Sequence, residues 1–155
     1  MNSATIIQAK ENDVSAVKRL IHETIRFSYK IAYPQGVVDF FLDYHNDDFI
    51  KNNIINGVTL IMNVSDRMIG TIYLHGNTMG GMYIHPEFQG RGYGRILFEK
   101  MLQVAKTRKL SYVQLDSTLL AKKLYDSFGF KTIDFVYQPM DNGDRLYYFI
   151  MKKEL

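Results

Sequence analysis

The chain has no cysteine among its 155 residues. That excludes disulfides, thiolate zinc sites and a cysteine nucleophile. Its four histidines are scattered without metal-ligand spacing, so no metal is expected. No apolar run approaches the length that crosses a bilayer. Met1-Asn2-Ser3-Ala4-Thr5 lacks a basic region followed by a long apolar stretch, so neither a signal peptide nor a membrane partner is expected. The cytoplasm is the expected location. The formal net charge of +3 is small and dispersed. Lys and Arg form no one-sided stripe, which argues against a nucleic-acid partner. Linkers, repeats and low-complexity runs are also missing.

What remains is an ordinary globular composition, 46% hydrophobic and 23% charged. The length suits one domain, residues 1–155, with a core of its own. Thr5 to Ala9 reads as a strand. Asn12-Asp13 is placed to cap a helix with apolar positions Val14, Val17, Leu20, Ile21 and Ile25. Ser28 to Gly36 reads as a loop and Val37 to Tyr44 as a second helix. Asp47-Asp48 starts a third, through Phe49, Ile50, Ile54 and Ile55, stopped by Gly57. The period then shifts to strands at Val58–Val64, Met68–Leu74 and Met79–Ile84. A helix to about Lys106, a strand Tyr112–Asp116 and a helix Leu119–Phe128 ended by Gly129 follow. Lys131–Gln138 and Leu146–Lys152 pair as a hairpin around Asp141-Asn142-Gly143. This order predicts a mixed α/β or α+β sheet domain.

The most informative stretch is Met82-Tyr83-Ile84-His85-Pro86-Glu87-Phe88-Gln89-Gly90-Arg91-Gly92-Tyr93-Gly94-Arg95. A strand passes through a Pro-marked turn into three alternating glycines, and a helical pattern opens with Ile96, Leu97, Met101, Leu102 and Ala105. Such a turn presents free backbone N–H groups and the positive end of a helix dipole to an anion. No Gly-Lys-Ser/Thr follows, so it is not a Walker loop. The spacing G-x-G-x-G, placed after a meander of strands, is not the dinucleotide fingerprint either. Arg91 and Arg95 flank the glycines as donors to a pyrophosphate or as ordinary surface arginines. Lys122 is a further phosphate candidate.

Gln89-Gly90-Arg91-Gly92-Tyr93-Gly94 matches the Q/R-x-x-G-x-G/A motif, and Ala121-Lys122-Lys123-Leu124-Tyr125-Asp126-Ser127-Phe128-Gly129-Phe130 matches A-x-x-x-Y-x-x-x-G-F. Together, in this order, they resemble the GNAT acyltransferase superfamily over nearly the whole chain. The resemblance implies a mixed central sheet of about six to seven strands flanked by helices. It implies acetyl-CoA as co-substrate and an amine acceptor, small molecule or protein, and it allows a homodimer. Carried over, the N–H groups of Gly90 to Arg95 hold the pyrophosphate. Gln89 belongs to the same motif, and the strand edge Met82, Tyr83 and Ile84 pairs with the pantetheine amides.

An amine attacking a thioester builds an oxyanion and expels a thiolate. A backbone N–H at Ile84 or its neighbour would stabilise the first. Tyr125 matches the family's tyrosine and would protonate the second. The competing reading of Tyr125 is a core residue beside Leu120, Leu124 and Phe128. The strand Thr78–Ile84 lacks the glutamate some relatives use as a base. Water, His85, Glu23 and His45 are the alternatives. Many relatives have Asn where this chain has Thr118, whose hydroxyl would contact the cofactor. Aromatic residues Tyr29, Tyr33, Phe40, Phe41, Tyr44, Tyr137, Tyr147 and Tyr148, with Asp39, Asp43, Asp47 and Asp48, either frame a cationic acceptor or belong to core and helix surface. The leading expectation is an acetyl-CoA-dependent N-acetyltransferase. The alternative is a non-catalytic module that binds acetyl-CoA as a regulatory ligand.

Overall fold

The computed structural model describes residues 3–155. Alternating and fully apolar runs in the middle of the chain form three antiparallel strands: β2 (Val58–Val64), β3 (Arg67–His75) and β4 (Thr78–Ile84). The short β1 (Ala4–Gln8) closes one edge against β2. The C-terminal half adds β5 (Tyr112–Ser117), β6 (Lys131–Pro139) and β7 (Arg145–Glu154). The sheet order is β1-β2-β3-β4-β5-β7-β6. Every neighbouring pair is antiparallel except β4 and β5, which run parallel and share one register pair, Thr78 with Gln114.

Helices cover both faces. α1 (Val14–Ala32), α2 (Gln35–Tyr44) and α3 (Asp47–Asn56) lie on one side. There Val17, Ile21, Ile25 and Val37 are buried with Ile61 and Tyr83 of the sheet. α4 (Tyr93–Thr107) covers the other side, burying Leu97, Phe98 and Met101 against Met62, Leu74, Val113, Leu115 and Met151. Each such side chain contributes ~1.5–3 kcal/mol through removal from water. α5 (Lys122–Ser127) is a short helix between β5 and β6.

Strand β4 is bent. Its register with β3 shifts between Thr71 and Tyr73. Gly81 sits there at φ +59°, in the left-handed region. The Tyr73 ring packs against the Gly80-Gly81 backbone. A Cβ would fall 2.7 Å from Tyr73 Cζ at Gly80 and 2.8 Å from Cδ1 at Gly81. A bulge of this kind bends its strand and locally ends regular pairing.

The structure corrects several expected boundaries. Ser28–Gly36 is not a loop: α1 continues to Ala32 because Tyr29 lies one turn beyond Ile25 on the same buried face. Tyr33 ends that helix, its N–H donating to the Tyr29 carbonyl at 2.8 Å. The expected helix Leu119–Phe128 shortens to α5 because the Leu119 N–H donates to the Tyr33 hydroxyl (2.9 Å), away from any helical ladder. α3 does start at Asp47 as expected, and Asn46 caps it, its side chain accepting from Phe49 N–H at 2.9 Å. Asp13 does not cap α1 through its side chain, which accepts from Lys10 N–H. Ile96 is 41% exposed, while Phe98, unassigned by the helical pattern, is fully buried.

Candidate active site

The single rung between β4 and β5 decides where a ligand can enter. Gln114 N–H donates to Asn77 O (2.8 Å), and Asn77 Nδ2 donates to Tyr112 O (2.9 Å). Beyond that point the two strands separate. A cavity of about 260 Å³ opens between them. Met79 to Tyr83 of β4 form one wall and Leu115, Asp116 and Thr118 another, with Tyr125 of α5 between. Phe40, Phe41 and Tyr44 of α2 and Gln138, Leu146 and Tyr148 of the β6–β7 hairpin complete it.

The edge of β4 facing this gap keeps polar backbone atoms unused by the sheet. His85 N–H donates to Ile69 O at 2.8 Å, toward β3. Alternation along the strand therefore turns the N–H and carbonyl of Ile84 toward the gap. The carbonyl accepts from Gln89 Nε2 at 2.8 Å, so the side chain of Gln89 braces the strand end. The Ile84 N–H remains available on that edge. Gly81 and Met82, opposite Ile72, stand outside the register.

The glycine turn lies at the end of β4, outside the cavity lining. Gly90 and Gly92 take φ +73° and +86°, conformations that a Cβ would strain. Gly92 is the N-cap of α4, and the first helical bond closes at Ile96 N–H to Gly92 O, 3.2 Å. Among the described residues no side chain caps this end and no acid stands in its first turn. The N–H groups of Tyr93, Gly94 and Arg95 are thus the open donors of the helix. The Tyr93 ring is core, packed on Phe88. Arg91 lies over the Phe88 ring at 5.6 Å. Arg95 turns toward α5, donating to Ser127 Oγ (2.8 Å) over the Phe128 ring. Lys122 pairs with Asp126 at 2.7 Å.

Tyr125 packs its ring on Phe98 and Phe130, with centroids 5.3 and 6.0 Å apart, and lines the cavity with its edge. Among the described residues its hydroxyl has no hydrogen-bond partner, and burial pushes its pKa well above the usual tyrosine value. It is therefore both a core residue and a cavity residue. Tyr29, Tyr83 and Thr118 also line the cavity. Burial pushes Tyr29 up to about 12. The Tyr33 hydroxyl accepts from Leu119 N–H, and burial raises it as well. The Tyr83 hydroxyl lies 3.4 Å from His45 Nε2, and His45 Nδ1 lies 2.9 Å from the Phe41 carbonyl. A carbonyl only accepts, so Nδ1 holds the proton and Nε2 accepts from Tyr83. Burial holds His45 down to about 4, so the ring is neutral.

Of the sequence candidates, Met82, Tyr83, Thr118, Tyr125 and His45 meet around the cavity. His85 and Glu23 meet each other instead, 3.6 Å apart, outside that lining, with Arg67 3.2 Å from His85 Nε2. Two features went unread in the sequence. Gly80-Gly81 shapes the strand, and the double glycine inside a strand pattern was the available signal. Asp116 lines the cavity, and the sequence held no signal for it, because Gln114 and Asp116 alternate with Val113 and Leu115 as on any half-buried strand.

A split mixed sheet, a glycine turn feeding an uncapped helix and a tyrosine in the gap match the arrangement that the sequence resemblance implies. A family model described as an acetyltransferase (GNAT) domain matches residues 30–155, and the chain belongs to that family. The chain is 36% identical over 73 residues to the [ribosomal protein bS18]-alanine N-acetyltransferase of Haemophilus ducreyi, 44% of this chain. The match spans half the length of that curated relative (50%). The fold is shared with a GCN5-related N-acetyltransferase structure from Rhodopseudomonas palustris. There the TM-score is 0.89 at 17% identity, covering 100% of this chain and 98% of that one. It is also shared with the PaiA N-acetyltransferase of Thermoplasma acidophilum solved with coenzyme A. That match has a TM-score of 0.76 at 18% identity, covering 99% of each chain.

Proposed function

We propose that this protein transfers the acetyl group of acetyl-CoA to a primary amine by direct attack, with Tyr125 as general acid. The observation that carries this reading is the parting of β4 from β5, with Tyr125 between them and an uncapped, acid-free helix start at the open end. The open N–H groups from Gly90 to Arg95 suit a pyrophosphate, and the free edge at Met82–Ile84 suits the amides of a pantetheine arm. Gln89 acts by fixing that edge through Ile84 O. Thr118 joins the cofactor wall from the β5 side, where its hydroxyl can contact the donor.

In the reaction the amine nitrogen bonds the thioester carbon while Ile84 N–H donates to the carbonyl oxygen as it gains charge. The carbon–sulfur bond then breaks. Tyr125 is protonated at neutral pH because burial holds its proton on, and it donates that proton to the departing sulfur. A thiolate in the same desolvated site is also harder to sustain, which keeps the transfer close to balanced. Of the side chains considered for the amine proton, His45 lines the cavity, but at about 4 it does not retain a proton at neutral pH. Cleft water removes it.

The test is release of free CoA thiol from acetyl-CoA with a panel of primary amines. Amine-dependent release is expected. Tight acetyl-CoA binding with no release from any amine would replace this reading with a regulatory ligand-binding module.

A further inference from the structure

Among the described residues the cavity lining carries one formal charge, Asp116, and no counter-charge. Its lining includes no lysine or arginine, and its histidine, His45, is neutral. Asp116, at the end of β5, faces into it from the strand side that opposes α2. Its alternation partners Leu115 and Ser117 are buried in the opposite face. Among the described residues Asp116 enters no ion pair, and partial burial raises its carboxyl above the usual range. The surrounding wall is aromatic: Phe40, Tyr44, Tyr73 and Tyr148. Tyr44 and Tyr73 line the same cavity as Asp116, and their phenols are raised first by burial and also by its negative charge.

The Asp116 residue is exposed by surface area, so leaving its carboxylate unpaired costs little, yet as the one charge beside an aromatic wall it favours a ligand of opposite sign. Ring faces beside it attract the same sign of ligand. We infer that Asp116 is the acceptor-recognition residue: its carboxylate binds the ammonium of a primary amine whose body is apolar and free of acid groups, within the Phe40-Tyr44-Tyr73-Tyr148 wall. This rests on the acetyltransferase reading for the meaning of the bound amine, but not for the binding itself. A carboxylate on the acceptor would meet Asp116 across the same small cavity and be rejected by like charge. Free α-amino acids are therefore excluded. Alkyl or arylalkyl amines are accepted, as are peptide α-amines whose own carboxyl is blocked by the amide bond.

Phenethylamine and phenylalanine share one skeleton and differ by the carboxylate, so they isolate this rule. Each is titrated calorimetrically into the protein saturated with CoA, beside 2-phenylethanol as the uncharged analogue and Phe-Gly-Gly amide as the peptide α-amine. Phenethylamine binding at least tenfold tighter than either phenylalanine or 2-phenylethanol is expected. Asp116→Asn should weaken phenethylamine tenfold or more and leave 2-phenylethanol unchanged. Asp116→Glu should keep the preference for the cation. Unchanged CoA affinity in both variants certifies the fold. Binding of the peptide amide assigns the acceptor to polypeptide termini, and binding of phenethylamine alone assigns it to small amines. Equal affinity of the wild type for amine and alcohol, or of Asp116→Asn and wild type for the amine, overturns the inference. Ordered amine binding without thiol release would overturn the acetyl-transfer reading and leave Asp116 in its role.

Discussion

The backbone N–H of Gly36 donates to Asp144 Oδ2 at 2.8 Å, joining residues 108 positions apart. The start of α2 is thereby tied to the β6–β7 turn, and both elements wall the cavity. Asn142 Nδ2 donates to the same carboxylate oxygen at 2.9 Å. A Cβ on Gly36 would sit 2.6 Å from that oxygen, so the approach needs glycine. Asp144→Ala should release the hairpin from α2. A charge-assisted bond contributes ~1.5–3 kcal/mol when shielded. Partial exposure lowers this to about 1 kcal/mol, roughly a fivefold rise in KM for the amine. KM for acetyl-CoA should not change, and steady-state kinetics with each substrate varied separately decides it.

Tyr125→Phe removes a hydroxyl that lines the cavity and keeps the ring packed on Phe98 and Phe130. Turnover should fall by a factor of ~10²–10⁴, the usual size of a general-acid contribution. Acetyl-CoA affinity, read by calorimetry, should stay within about twofold. Wild-type turnover in a chemistry-limited step would remove Tyr125 from the mechanism.

Gly81→Ala forces a Cβ onto the Tyr73 ring at a residue with φ +59°. The backbone term alone is ~1–2 kcal/mol for an L-residue in that region. Urea unfolding should show at least this loss. The variant should also gain less stability from saturating acetyl-CoA than the ~2.7 kcal/mol expected of wild type at a hundred times Kd, because the bend that frees the strand edge is disturbed.

His45 is neutral in the fold, held down to about 4 by burial, against an ordinary value near 6.5. The unfolded chain therefore binds a proton that the folded one refuses. The favourable state is complete above pH 6.5, and stability falls as the pH drops from there toward 4, by up to about 3 kcal/mol from this one group. Urea midpoints measured from pH 7.5 to 4 should fall less steeply for His45→Gln than for wild type.

The two motifs were legible because each is a local requirement. Positive φ at Gly90 and Gly92 and the turn at Gly129 need glycine whatever surrounds them. The order of strands and helices was legible for the same reason, through periodicity. The placement of partners was not. Tyr29 and Tyr33 read as loop residues because Pro34 and Gly36 follow closely. In the fold Tyr29 continues the buried face of α1 onto the Tyr83 ring, and the Tyr33 hydroxyl accepts from Leu119 N–H. Asp116 carried no signal of its own, since its isolation depends on α2 and the hairpin, which are remote in sequence. His85 stood next to the motif and read as near the chemistry. Its ring points to Glu23 and Arg67 instead.

The lone rung at Thr78 and Gln114 has a mechanical meaning. The seven strands form two hydrogen-bonded slabs, β1 to β4 and β5 to β7, joined along one line. What holds the slabs together is the apolar underside: Leu97, Phe98 and Met101 of α4 touch residues from both. Apolar contacts have no preferred direction. The slabs can therefore tilt about the rung, widening or narrowing the slot, without breaking a row of hydrogen bonds. On the acetyl-transfer reading proposed above, an acyl donor would be the wedge that sets this angle.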